Sequence, residues 1–408
     1  MSDSLLILGR QPALGLAELE SLFGAADVRP AGAVAALVNR AAADIPFARL
    51  GGTVKLAEVL ANIPSTEWRD IERMLLQLAP REAAAAPEGK LRLGVSAYGF
   101  SVRPAQVEAL GLSLKKAVKK AGRSVRLVPN KEAALSSAQT FHNRLAHDTG
   151  REYLIVRASD KNTLLARVTA VQDINSYTLR DRGRPKRDAR VGMLPPKLAQ
   201  IIINLAAAQT PPAGNFTILD PFCGTGVVLQ EALLMGFDAA GTDLEQRMVD
   251  YSIANLEWLK HQFSELPGYG VARGDATGTS WQTSVFYEHS AERALLSIGA
   301  VAGETYLGRP FTSAPAPDVL SQTASEVNLI LKKFLQNVRG QLAPGARLCI
   351  AVPAWQTAPG RFKHLPLIDQ ISDLGYNRVS FEHARDADLL YYREGQIVAR
   401  ELIVLTKR

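Results

Sequence analysis

Residues 216–243 read FTILDPFCGTGVVLQEALLMGFDAAGTD, and the order of residue types in this stretch decides the fold. FTILD is a short apolar run that ends on an acid. DPFCGTG is a turn carrying two glycines, VVLQEALLMG has helical apolar spacing, and DAAGTD is a second strand ending on another acid. Strand, glycine turn, helix and strand make one unit of a doubly wound α/β sheet.

Downstream, GVARGD (270–275), ALLSIGAVAGE (294–304) and ARLCIAVP (346–353) continue the series of strands. NRVSFEHA and ARELIVLTK flank the polar segment YYREGQ and predict an antiparallel hairpin at the end of the sheet. Upstream, Pro195 and Pro196 open a helix running KLAQIIINLAAA, since proline is tolerated in a first helical turn. Before it lies a basic connector, 177–200, holding Arg180, Arg182, Arg184, Lys186, Arg187 and Arg190.

The first 176 residues alternate strands and helices differently. LLILG (5–9) and AALVNR (35–40) read as strands, LAELESLF (16–23) and IERMLLQL (71–78) as helices. PREAAAAPEGK (80–90), bracketed by prolines, reads as a loop or linker. LRLGVSAYG (91–99), a basic helix over 107–122, SVRLVP (124–129) and two closing strands, 154–160 and 164–173, follow. The expected division is 1–82, 90–176, a linker at 177–200, and a larger α/β domain at 201–408.

The 408 residues, 47% apolar and 21% charged, exclude disordered and collagen-like chains. No apolar run reaches about 18 residues, so no transmembrane helix is expected, and the N-terminus lacks the basic region of a signal peptide. Cys223 and Cys349 make neither a disulfide framework nor a zinc cage, and no metal is expected. His289 and His383 lack metal-ligand spacing. A reducing, cytoplasmic setting is the expectation. The net charge of +7 is uneven: residues 101–200 carry 20 basic and 8 acidic side chains, a surplus of +12. Such a stretch is either a polyanion-binding region or a solvated lysine-rich surface. The helix with Lys115, Lys116, Lys119 and Lys120 repeats lysines at i and i+4, and Arg123 and Arg126 follow it, which favours nucleic acid.

The glycine turn carries the chemistry. Gly224 and Gly226 let backbone approach a ligand, and a helix begins just beyond them. Asp243 follows about 20 residues on, where a carboxylate accepts ribose hydroxyls, and Asp275 stands where an adenine amine would be bound. A dinucleotide fingerprint needs a third glycine, but Leu229 occupies that place. A P-loop needs Gly-Lys-Ser/Thr, which is absent. Asp220, four residues before the first glycine, suits a cationic sulfonium cofactor with an amino-acid tail. S-adenosylmethionine is the cofactor these residues predict.

The segments RDRGRPKRDARVGMLPPKLAQIIINLA (180–206) and DPFCGTG together resemble the THUMP-domain-containing tRNA (guanine-N2) methyltransferases of the archaeal and eukaryotic type. LLILGRQPALGLAELESLF, LGGTVKLAEVL, LRLGVSAYG and SSAQTFHNRL extend the resemblance over nearly the whole chain. It implies a ferredoxin-like and THUMP region for tRNA, followed by a Rossmann-like class I methyltransferase domain. It also implies that Asp220, Phe222, Gly224 and Gly226 form the cofactor loop, with Asp243 as ribose acid and Asp275 as adenine acid. Where the family has D-P-P-Y, this chain reads Gly303-Glu304-Thr305-Tyr306-Leu307-Gly308-Arg309-Pro310, with Glu304 in place of the acid, Thr305 in place of a proline and Tyr306 one place early. Glu304 and the backbone at Thr305 then hold the target amine and Tyr306 stacks on the base, although the stiffening prolines are missing. His142 and Asn143 fall in the expected THUMP module.

Expected RNA contacts are Lys115, Lys116, Lys119, Lys120, Arg123, Arg126, Arg180, Arg184, Lys186 and Arg187. The partner expected is tRNA, with no membrane and no obligate protein partner. A DNA adenine-N6 methyltransferase and a tRNA-binding protein with lost catalysis are the alternatives.

Overall fold

The computed structural model describes residues 3–188, 193–210, 216–263, 265–282, 297–311 and 313–408. It divides into two compact units, Met1–Ser176 and Tyr177–Arg408. His289, Arg190 and residues 294–296 of one expected strand lie outside the described residues.

In the first unit the strands β1 (Ser4–Leu8), β2 (Val28–Pro30), β3 (Ala35–Val38) and β4 (Thr53–Ile63) come first. They are followed by β5 (Leu91–Tyr98), β6 (Val125–Leu127), β7 (Gly150–Arg157) and β8 (Thr163–Val171). The helices are α1 (Pro12–Phe23), α2 (Trp68–Ala84), α3 (Pro104–Lys120) and α4 (Ser137–His142). All eight strands join one sheet, in the order β2-β3-β1-β4-β8-β7-β5-β6. The stretches expected at 1–82 and 90–176 therefore share a sheet, through β4 paired with β8.

Strand β4 had no strand assignment from sequence. TVKLAEVLANI does not alternate, because β4 is covered on both faces for part of its length. Its Lys55 is fully buried and paired to Glu152, which also accepts from Ser96 Oγ and Thr140 Oγ1 at 2.6 Å each. The expected loop from residue 80 is also shorter. Helix α2 runs through Pro80 to Ala84, because Ile71, Leu75, Ala79 and Ala83 form one buried seam. That seam outweighs the roughly 3 kcal/mol cost of an interior proline.

The second unit opens with the end of α5 (Ile174–Thr178) and a π-turn (Leu179–Gly183). Helix α6 (Pro196–Ala207) follows, buried on nearly every side. After it come β9 (Thr217–Asp220), α7 (Val227–Leu234), β10 (Asp238–Asp243), α8 (Gln246–Gln262) and β11 (Tyr269–Arg273). Then come β12 (Ile298–Glu304), α9 (Pro317–Arg339), β13 (Arg347–Ala358), β14 (Arg361–Lys363), β15 (Tyr376–Arg378), β16 (Leu390–Tyr391) and β17 (Val398–Lys407). The sheet order is β11-β10-β9-β12-β13-β17-β15, with β14 on β13 and β16 on β17. Strands β9 to β13 are parallel, and β17 runs antiparallel between β13 and β15, as the expected terminal hairpin requires.

Helices α8 and α9 had no assignment from sequence. Leu320, Ala324, Val327, Leu331, Phe334 and Val338 give α9 its apolar stripe, which packs on the sheet with Leu348, Ile350 and Trp355. Among the described residues no helix is long and apolar enough to cross a membrane.

Candidate functional site

The order of connections reverses at β9: the chain leaves it toward β10 and β11, then returns to its other side as β12. Ligands bind in such sheets at the carboxyl ends of the strands flanking that switch point. Asp220 ends β9, Asp243 ends β10 and Glu304 ends β12.

Asp220 is buried, and its Oδ1 accepts the Phe222 backbone N–H at 3.1 Å. Burial pushes its carboxyl far above the usual range; the Phe222 N–H offsets part of this, while the nearby carboxylates of Asp243 and Glu304 add to it. A buried acid raised this far, at the end of a switch-point strand, is a candidate functional group.

The turn after it is built for close approach. Gly224 and Gly226 have φ of +51° and +79°, and a Cβ on Gly226 would lie 3.0 Å from Ser252 Oγ. Gly226 caps α7. Ser252 donates to the Gly224 carbonyl at 2.8 Å, and Asn255 Nδ2 to that of Thr225 at 2.8 Å. Sequence reasoning missed both. Their signal was two polar residues three apart on the buried side of α8. Phe222 sets its ring edge-on to Phe334 at 5.2 Å, so it holds the turn against α9.

Asp243 accepts the backbone N–H groups of Gly224 at 2.9 Å and Glu245 at 3.0 Å, which joins the end of β10 to the glycine turn. Burial raises its carboxyl above the usual range, and those two donors offset only part of the rise. Asp275 sits differently. Strand β11 ends at Arg273, so Asp275 lies two residues past the strand, exposed, with Oδ1 accepting from Thr277 N and Oγ1. Those hydrogen bonds lower its carboxyl.

The expected catalytic residues follow β12. Glu304 is paired with the Arg400 guanidinium from β17. Burial raises its carboxyl and Arg400 offsets this in part. Thr305 is buried, its N and Oγ1 both donating to the Ala351 carbonyl at 3.0 Å. Tyr306 is 43% exposed.

The expected RNA-contacting cations divide. Lys116, Lys119, Lys120, Arg126, Lys186 and Arg187 are exposed, and Lys115 is half-buried. Arg123 is spoken for by the carbonyls of Ala86 at 3.1 Å and Pro87 at 2.6 Å. Arg180 and Arg184 are corrections: both are buried. Arg180 grips Glu231 of α7 through Nε and a terminal nitrogen, at 2.7 and 3.2 Å. Burial alone would lower the Arg180 guanidinium, but Glu231 reverses the shift and raises it. Burial lowers that of Arg184, whose side chain reaches Met193 Sδ at 3.2 Å. A cation enclosed with its partner cannot also meet a phosphate. Nor is 177–200 a free linker, because Asn255 hydrogen-bonds both the N–H and the carbonyl of Lys186.

Residues 184–272, which contain the glycine turn and its acids, match the family model for an RMKL-like, methyltransferase domain. A tRNA (guanine(10)-N2)-dimethyltransferase of Methanothermobacter thermautotrophicus is 31% identical over 163 residues, 40% of this chain and 39% of that protein. One of Pyrococcus abyssi is 40% identical over 84 residues, 21% of this chain and 22% of that protein. One of Methanocaldococcus jannaschii is 36% identical over 108 residues, 24% and 30% of the two chains. The matched stretches thus span well under half the length of these curated relatives. Among solved structures, TrmN from Thermus thermophilus aligns over 100% of both chains with a TM-score of 0.51 and 17% identity, a likeness of fold.

Proposed function

We propose that this chain transfers a methyl group from S-adenosylmethionine to an exocyclic amine of a tRNA base, guanine N2 above others. The observation that carries the reading is Asp220: a buried carboxyl at the switch point, surrounded by acids, beside a glycine turn open to a ligand. This donor set fits a cofactor that is cationic at one end and carries a ribose at the other. S-adenosylmethionine, when bound, supplies an electrophilic methyl group on positively charged sulfur. Asp220 accepts from the ammonium of its tail, and Asp243 accepts from ribose hydroxyls with the lone pairs that Gly224 and Glu245 leave free. Asp275 accepts from the adenine amine.

On the substrate side, Glu304 accepts a hydrogen of the target amine, which leaves the nitrogen lone pair directed at the methyl group. Tyr306, exposed at the same strand end, stacks on the flipped base. Lys116, Lys119, Lys120 and Arg126 of the first unit, and Lys186 and Arg187 of the second, meet tRNA phosphates. The ferredoxin-like and THUMP-like assignment of residues 1–176 belongs to this reading, as does a reducing cytoplasm for the two free, buried cysteines. Guanine N2 rests on the names of the relatives.

A second reading, a tRNA-binding protein that holds the cofactor without transfer, is favoured by the ion pair that engages Glu304. Parallel incubations of labelled S-adenosylmethionine with unmodified tRNA and with unmethylated DNA, followed by nucleoside mass analysis, separate the readings. Methylated guanosine supports transfer. Methylated adenine in DNA substrates redirects the reading to a DNA enzyme. No product on any nucleic acid, with cofactor bound, supports the second reading.

A further inference from the structure

We propose that Arg400 is a positioning residue: it fixes the carboxylate of Glu304 at the carboxyl edge of β12 in the orientation that receives the target amine. The inference rests on the methyl-transfer reading above and adds a part to it.

The two residues are not on neighbouring strands. Glu304 pairs with Ala351 of β13, and Arg400 of β17 pairs with Pro353 of the same strand. Strand β13 therefore lies between them, and two strand spacings amount to about 9.6 Å. Ala351 and Pro353 are two residues apart and share a face, so the side chains of Glu304 and Arg400 meet over them. Both partners are largely enclosed, with side-chain exposures of 16% for Glu304 and 6% for Arg400.

The backbone beneath is pinned as well. Thr305 anchors the strand end twice to the Ala351 carbonyl, so Glu304 is held at its backbone by β13 and at its carboxylate by β17. This double restraint acts at the position where the sequence lacks stiffening prolines. Burial raises the Glu304 carboxyl, and the Arg400 guanidinium from β17 opposes that by favouring the ionised form.

The test is single-turnover methyl transfer to unmodified tRNA across pH, with wild type, Arg400→Gln, Arg400→Lys, Glu304→Gln and the double variant Glu304→Gln/Arg400→Gln. Cofactor affinity, measured alongside, shows that each variant is folded. Arg400→Gln is expected to slow transfer at neutral pH by at least about tenfold, the scale of a lost electrostatic partner. Its acid limb moves to higher pH, because Glu304 loses its cation and stays buried. Arg400→Lys recovers part of the rate and of the limb. In the Glu304→Gln background, Arg400→Gln adds nothing, since its effect runs through the carboxylate. An Arg400→Gln variant with wild-type rate and limb overturns the proposal, as do losses that add in the double variant. A wild-type protein that transfers nothing to tRNA overturns the methyl-transfer reading, and this inference with it.

Discussion

Gly303 and Asp220 compete for one volume: a Cβ on Gly303 would lie 2.4 Å from Oδ1 of Asp220. Glycine at 303 is what lets a carboxylate at the end of β9 stand against β12. Gly303→Ala should therefore move the acid rather than fill a void. The expected result is a stability loss of about 1–3 kcal/mol from overpacking. Cofactor affinity should fall with it, and thermal melts and calorimetry read the two effects separately.

Asp220→Asn should act in opposite directions on stability and binding. The folded carboxyl is raised above its unfolded value, so the folded chain keeps a proton that the unfolded chain gives up near pH 4. That acid's ionisation therefore takes stability away as pH rises from the ordinary carboxylate range toward the raised folded value. Asparagine keeps the acceptor for the Phe222 N–H and removes the charge. The ligand-free variant should melt higher than wild type at neutral pH, while cofactor binding weakens by about 1–3 kcal/mol. Wild-type binding should also release protons as a cationic ligand ionises Asp220. Calorimetry in buffers of different ionisation enthalpy measures that release.

Asp243→Ala should weaken the cofactor by about 1–3 kcal/mol through lost charge-assisted hydrogen bonds. It also strands the Gly224 and Glu245 N–H groups, so some of the loss is of the turn itself. An S-adenosylhomocysteine titration checks it, and undiminished binding would remove Asp243 from the site.

The cations of the basic stretch should separate into two behaviours. Arg180→Ala takes the ion-pair partner from the buried Glu231, leaving it Gln200 and the more distant Arg184, and should destabilise the chain by about 3 kcal/mol. Lys119→Ala, Lys120→Ala and Arg126→Ala, all exposed, should leave stability within about 0.5 kcal/mol. Each should instead reduce the salt slope of tRNA binding by about one. Melts beside salt-dependent binding isotherms distinguish the groups, and an unchanged slope for the triple variant would move the tRNA surface elsewhere.

Much of the second unit was legible because its signals are local. A strand, a tight glycine turn and a helix each leave a short-range mark, and the acids at strand ends fall where the next turn begins. Asp220 accepts from Phe222 and Asp243 from Gly224, so each acid is tied to the glycine turn that the sequence places between them. Strand β4 and the helix turn past Pro80 were not legible. Their residues answer to burial on two faces and to a seam with distant strands, which no short window contains.

By itself the sequence determined the α/β order, the switch-point acids and the surplus of positive charge. Only the tertiary structure decided which charges are free. Arg180 and Glu231 are 51 residues apart, and Glu304 and Arg400 are 96 apart. The physical reason is that an ion pair forms where folding brings two chain segments together and excludes water. Composition counts both members as charge, but the fold takes them out of solvent and makes them part of the frame.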